Sequence, residues 1–384
     1  MAEPAISLLE HPIEALTTLS TPRLVVFRAH LEENIRRFGR ALDSVVPGSG
    51  FRHATPHVKT HKSAWVTRLL MEMGIERFKC TPRELDMLLE AGARDILVAY
   101  PLVSGEAERL AEVVERNPDT RIAAQIGSVE HAEVLAAAAT KRGVEVDCLL
   151  DVDVGQHRTG MDPSLAPDLA RTLARSRHLG ALKLRGIHAY DGHNQHMEEA
   201  RREECARKAM ADVAGCAHAL EAHGFPPGRI VTGGTPGFLL DLQEIVLHHR
   251  LDAEVEVSPG TWVYWDTNYD AKMPGAFRFA ALLLAEVMDV PSGGLATLNL
   301  GYKRWGADQG PVTRFSAPGL EVVSASEEHT VVRQLDGPRL TFGDRLFIVP
   351  RHVCSTVNLW DTFTLVGSEG RIEEVSLPVS GRNR

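Results

Sequence analysis

The chain has 384 residues, 44% hydrophobic and 24% charged, with a formal net charge of −9. That length can bury a large core in two or three domains, and the acidic balance supplies no basic surface for nucleic acid. No apolar run approaches the roughly 20 residues that cross a bilayer, and no Lys/Arg block marks a membrane surface.

The opening stretch, MAEPAISLLEHPIEAL, lacks the charged-then-apolar order of a secretory leader. The cysteines (Cys80, Cys148, Cys205, Cys216 and Cys354) are too widely spaced for a disulfide framework, so a reducing cytoplasm is the expected location. Arg23–Phe27 (RLVVF) reads as a strand and is followed by an amphipathic segment, Leu31–Leu42. After a Pro/Gly-rich turn comes HATPHVKTHK, residues 53–62: a short extended run ending on Lys59, with Ser63 as N-cap for a helix over Ala64–Met73.

Short apolar runs then recur, each followed by a helix-length segment: Arg77–Cys80, Ile96–Tyr100, Arg121–Gln125, Cys148–Val152, Leu184–His188, Ile230–Thr232 and Glu254–Val257. Counted from the lysine strand, these steps match a TIM-like (β/α)8 barrel, with a doubly wound sheet as the alternative. Phe279–Pro378 carries strand-like pieces without long helices, and RLVVF is expected to join them. The expected fold class is therefore α/β: a barrel over 45–265 and a discontinuous, mostly β domain over 1–44 and 266–384.

On this count several chemically equipped residues fall at the barrel's catalytic end. Lys59 ends the first strand, and an amine held there suits Schiff-base chemistry. DVDVGQHRTG follows the fifth strand, and the sixth runs into His188, Tyr190 and His193. Gly233, Gly234 and Thr235 follow the seventh, and Gly260 and Thr261 the eighth. Glycines there let backbone N–H groups approach phosphate oxygens, and a lysine beside a phosphate site suggests pyridoxal phosphate. Far downstream, in PRHVCSTVNLWD, His352 and Cys354 stand two apart. In an extended segment both would face one way and could share a metal ion with an open coordination position; the bland alternative is a buried cysteine beside a hydrogen-bonded histidine.

The run HVKTHK with TPRLVVF before it, then DVDVGQHRTG, GIHAYDGH, GGTPGF and PRHVCSTVNLWD in order, resembles the D-threonine aldolase / D-serine dehydratase family, relatives of alanine racemase. The resemblance implies that Lys59 carries pyridoxal phosphate and that Arg158 contacts its ring hydroxyl. It places Tyr190 beside the ring and Gly233, Gly234, Thr235, Gly260 and Thr261 at the phosphate. It further implies that His352 and Cys354 bind a divalent metal (Zn, Mn or Mg), and that the protein is a homodimer. The implied substrate is a small 3-hydroxy-D-amino acid, cleaved to glycine and an aldehyde; His193 and His188, which bracket Tyr190 at the expected catalytic end, are the acid/base candidates beside Lys59. Dehydratase-type elimination from D-serine or 3-hydroxy-D-aspartate is the alternative, and racemisation or cofactor carriage are remoter ones. One departure stands out: relatives carry Asp in a run that reads Asn299-Leu300-Gly301-Tyr302-Lys303 here.

Overall fold

The computed structural model describes residues 15–306, 308, 315–317, 319–367 and 369–382; most of the opening stretch read for a leader lies outside them. The chain divides into two compact units, Gly39–Val58 with Thr67–Gly260, and Met1–Phe38 with Lys59–Val66 and Thr261–Arg384. The first strand, β1 (Arg23–Phe27), belongs to the second unit.

In the first unit seven parallel strands pair strictly in chain order. They are β2 (Arg77–Cys80), β3 (Asp95–Val98), β4 (Arg121–Ile126), β5 (Val146–Val152), β6 (Leu182–Ala189), β7 (Arg229–Thr232) and β8 (Glu254–Val257). Helices such as Val129–Arg142 separate them, this one capped by the Ser128 side chain on the His131 N–H and ended by Gly143 at φ 69°. The eighth position in the ring is filled by the lysine segment, where Ala54 bridges Val257 and His57 bridges Lys79. Thr55 N–H donates to Val257 O at 2.9 Å and Val58 N–H to Lys79 O at 2.8 Å, which closes the barrel. The strand expected here is reduced to these two bridges: Pro56 has no N–H to give a ladder, and a turn follows at residues 58–61. Lys59 thus stands in a turn, one peptide bond beyond the hydrogen-bonded Val58.

Leu97, Ala123, Leu149 and Val231 form a packed cluster within this sheet. A buried ion network joins the strands, with Arg229 bonded to Asp95 at 3.1 Å and to Glu256 at 2.7 Å, and Arg77 to Glu256 at 3.1 Å. β6 approaches β7 closely at Gly186, where a Cβ would lie 1.8 Å from Arg229 O. Gly186→Ala should therefore push the strands apart and lower stability by about 3 kcal/mol. Urea unfolding reads this directly, and an unchanged midpoint would contradict the close approach.

The second unit is built on a β sheet ordered β12-β13-β10-β9-β1-β15-β16, with β14 pairing β9 and β11 pairing β14. Its strands are β9 (Ala281–Asp289), β10 (Leu295–Leu298), β11 (Phe315–Ser316), β12 (Leu320–Ala325), β13 (Thr330–Gln334), β14 (Arg345–Pro350), β15 (Thr362–Val366) and β16 (Ile372–Pro378). RLVVF joins this sheet as expected, antiparallel to β9 and parallel to β15. Asn299 binds within it: its amide donates to Thr21 Oγ1 at 2.8 Å and its oxygen accepts the Glu286 N–H at 2.9 Å. An ionised aspartate could not make the first of these bonds. Glu327 and Glu328 pair with Lys303 on the exposed surface. Trp262, Trp265 and Trp305 are fully buried and serve packing.

Candidate active site

At the C-terminal ends of the barrel strands, Tyr190 stands between two cations. The Arg158 guanidinium lies 4.9 Å from its ring centroid and the Lys79 ammonium 5.7 Å. Glycines make room for this ring: a Cβ on Gly192 would meet it at 2.2 Å, and one on Gly234 would lie 3.3 Å from its Cε2. The His193 imidazole rests against Gly155, which has φ +120° and whose Cβ would come within 2.9 Å of Nε2. His193 Nδ1 and Gln156 Oε1 are buried without a hydrogen-bond partner among the described residues.

His188 is held differently. Its Nδ1 lies 2.7 Å from Asp151 Oδ1 and its Nε2 3.4 Å from Lys79 Nζ. Asp151 also accepts from Gln125 Nε2 at 3.1 Å, and Lys79 donates to Ser258 Oγ. In the glycine loop after β7, Gly233 takes φ +85°, a conformation suited to glycine. The Gly234 N–H donates to Asp191 Oδ1 at 2.7 Å, so this amide is already engaged by a carboxylate, and Gly260 N–H reaches Thr235 Oγ1 at 3.3 Å. Burial pushes the Asp191 carboxyl up and Asp241 well up, the latter further raised by the Asp191 charge.

In the second unit, His352 is not on a strand as the spacing suggested. β14 ends at Pro350, and His352 is the N-cap of a short helix, Val353–Val357, that carries Cys354. The two side chains nonetheless interact electrostatically, each favouring the charged form of the other. Asp266 fixes this junction by accepting the N–H groups of Val353 and Tyr269, each at 3.0 Å, and burial lifts its carboxyl to about 6. His352 Nδ1 bonds Asp308, which also accepts from Ser355 Oγ at 2.7 Å. Burial opposes charge on His352, but the Cys354 thiolate and Asp308 raise it to about 10. Burial likewise opposes the Cys354 thiolate, yet His352 and the Thr60 hydroxyl lower its pKa. Cys354 Sγ is 3.1 Å from Thr60 Oγ1 and 3.6 Å from Thr261 Oγ1, so Thr261, expected at a phosphate, has its hydroxyl beside the thiol.

Two protein ligands are what the sequence offered for a metal, and no group of three or more His, Cys, Asp or Glu gathers among the described residues. The donor set nevertheless fits a divalent ion: a half-buried sulfur of thiolate character, and an imidazole whose Nδ1 is bonded to a carboxylate, as in many metal-binding histidines. The barrel mouth fits a polar, phosphate-bearing ring, since His193 Nδ1 and Gln156 Oε1 are buried there without a hydrogen-bond partner among the described residues.

Comparison with known proteins decides the family. Residues 27–268 match the family model "Alanine racemase, N-terminal domain" and residues 280–366 that of a serine dehydratase domain. A D-threonine aldolase from Arthrobacter sp. is 30% identical over 95% of this chain and 93% of its own. The chain belongs to the D-threonine aldolase / D-serine dehydratase family. Within that family it also resembles a D-threo-3-hydroxyaspartate dehydratase from Delftia sp. (strain HT23), 26% identical over 94% of this chain and 97% of the relative. Its fold is alanine racemase-like, and the crystal structure of D-threonine aldolase from Filomicrobium marinum superposes with a TM-score of 0.83 at 25% identity, covering 95% and 96% of the two chains.

Sequence reasoning missed Lys79, Gln125, Asp266 and Asp308 in this family member. Lys79 left a signal: it sits between Phe78 and Cys80 in a four-residue strand, and both neighbours are fully buried. A lysine in the middle of a barrel strand must point into the barrel or its helical coat, where an unpaired charge is costly. Lys62 is buried; its Nζ donates to Gly381 O at 3.1 Å and its carbonyl accepts the Ser380 N–H at 2.6 Å.

Proposed function

We propose that the protein is a pyridoxal phosphate- and divalent metal-assisted lyase of 3-hydroxy-D-amino acids, cleaving Cα–Cβ to glycine and an aldehyde. The observation that carries this reading is the contact between Cys354 and Thr60, the residue directly after Lys59. It ties the thiolate–imidazole pair to the lysine turn within one unit, as metal action on a substrate held at Lys59 requires.

In this reading Lys59 holds the cofactor aldehyde and Arg158 its ring hydroxyl. Tyr190 lies along the ring, and Gly233, Gly234, Thr235, Gly260 and Thr261 hold the phosphate. Pyridoxal phosphate, when bound, supplies an electron sink for the bond pair left at Cα. His352 and Cys354 hold the metal (Zn, Mn or Mg), which lowers the pKa of the substrate 3-hydroxyl. His193 takes the hydroxyl proton, the Cβ–O bond becomes a carbonyl, the Cα–Cβ pair stays on Cα, and a proton delivered there completes glycine. His193 suits this base role because its Nδ1 has no protein partner among the described residues, whereas both nitrogens of His188 face one. His193→Asn should lower turnover about 100- to 10,000-fold while cofactor binding persists. Wild-type turnover in that variant would remove His193 from the chemistry.

A second reading has its own support in the serine dehydratase match across the segment bearing His352 and Cys354. There Lys59 would take the Cα proton and the 3-hydroxyl would depart as water, leaving after release a 2-imino acid that a water molecule hydrolyses to a 2-oxo acid and ammonia. Incubation with D-threonine, with and without chelator, separates the two. Glycine plus acetaldehyde supports the lyase as proposed, 2-oxobutanoate plus ammonia supports the dehydratase, and an L-isomer alone means a racemase. A cytoplasmic location belongs to the same proposal, supported by five cysteines without a disulfide, and so does a homodimer, which the family resemblance implies. So does the functional division at 45–265 against 1–44 with 266–384.

A further inference from the structure

Lys79 is a buried cation that the proposed chemistry does not use. It is 3% exposed, and its ammonium donates to Ser258 Oγ, whose hydroxyl lies 3.1 Å from Thr232 O and 3.2 Å from Gly233 O at the start of the glycine loop. On its other side stands His188 Nε2 at 3.4 Å, and the far nitrogen of that ring meets Asp151 at 2.7 Å. A lysine ammonium has only donors and a carboxylate only acceptors. The neutral ring with its proton on Nδ1 is the one form of His188 that satisfies both neighbours. An imidazolium would point a second N–H at the ammonium, and the Nε2–H tautomer would leave two lone pairs facing across 2.7 Å at Asp151.

We propose that Lys79 is a positioning residue of the barrel mouth, fixing His188 as the neutral Nδ1–H tautomer bonded to Asp151 and anchoring the glycine loop through Ser258. This rests on the barrel-mouth site proposed above, but its test needs no turnover. Each group that faces His188 has a defined effect: Asp151 favours the charged ring, while burial, Lys79 and Arg158 disfavour it, and the balance lies below the ordinary histidine value. Gln125 is neutral and holds Asp151 in place. Removing the Lys79 charge leaves Asp151 opposed by burial and by the smaller effect of Arg158, so the ring should accept a proton at higher pH. His188 then stays neutral at the mouth, and proton transfer there falls to His193.

The experiment is a side-chain 15N-histidine NMR titration of the full-length protein between pH 5.5 and 8.5, with His188 assigned by loss of its signals in His188→Gln. Wild type should show a neutral Nδ1–H ring throughout. Lys79→Met should show a midpoint at least about one pH unit higher than wild type, and Lys79→Arg, which keeps a cation, should stay near wild type. An Nε2–H tautomer or an imidazolium in wild type overturns the proposal without any variant. A folded Lys79→Met protein with an unshifted midpoint overturns it equally. The kcat–pH profile adds an independent readout: Lys79→Met should gain an ionisation on its acidic limb that Lys79→Arg lacks. Should the wild-type protein cleave no hydroxy-amino acid, the proposed function fails while the NMR result still decides the role of Lys79.

Discussion

Lys59→Ala is expected to lower turnover by about a thousandfold or more, because no other group on the lysine turn can hold the cofactor aldehyde covalently. The candidates for a substitute are each committed elsewhere: Lys62 donates to Gly381 O, Lys79 to Ser258, and Lys303 to Glu327 and Glu328. Borohydride reduction of the wild-type holoprotein followed by peptide mass spectrometry should place pyridoxyl on Lys59. The variant should retain cofactor by its phosphate alone and release it on dialysis. Label found on Lys62, Lys79 or Lys303 in wild type would sink the assignment.

The second large effect is expected at the imidazole–thiolate pair. His352→Ala should abolish cleavage of 3-hydroxy-D-amino acids, a fall of several hundredfold or more on the order expected for loss of a metal-held electrophile, and leave borohydride trapping at Lys59 unchanged. A chelator should reproduce the first effect in wild type and be reversed by added divalent ion. The separation follows from the proposed chemistry, in which the metal acts on the substrate hydroxyl and the lysine on the cofactor. Cleavage at the wild-type rate after metal removal verified by elemental analysis would refute the role. Since Asp266 and Asp308 brace the same turn, circular dichroism of the variant guards against a folding artefact.

Much of this architecture could be read before any coordinates. The apolar runs predicted β2–β8 to within two residues, because short apolar clusters alternating with helix-length segments mark the strands of a parallel barrel. Other features needed three dimensions. Pro56 broke the first stave into two bridges, which a count of β-prone residues cannot register. The His352–Cys354 pair was legible, but its placement on a strand was not: whether a His-x-Cys run is extended or opens a helix depends on Asp266, 86 positions before His352, capturing the Val353 N–H. Asp308 and Gln125 contribute through partners far away in sequence and leave no local pattern. Lys79 was within reach, since a charge inside a four-residue barrel strand demands a partner.

The pairing of β1 with β15 sets Val25 opposite Thr364, and β1 also pairs with β9 from Arg23↔Leu284 onward. The barrel, by contrast, grows by neighbours, each strand bonding the one made before it. Two very different assembly problems therefore share one polypeptide. The barrel can zip progressively as the chain leaves the ribosome, while β1 must wait, unpaired and apolar, for partners more than 250 positions later. The turn carrying His352 and Cys354 lies between two strands of that late sheet, so uptake of the proposed metal would belong to the end of folding. In a refolding experiment, recovery of metal binding should lag behind recovery of barrel helicity.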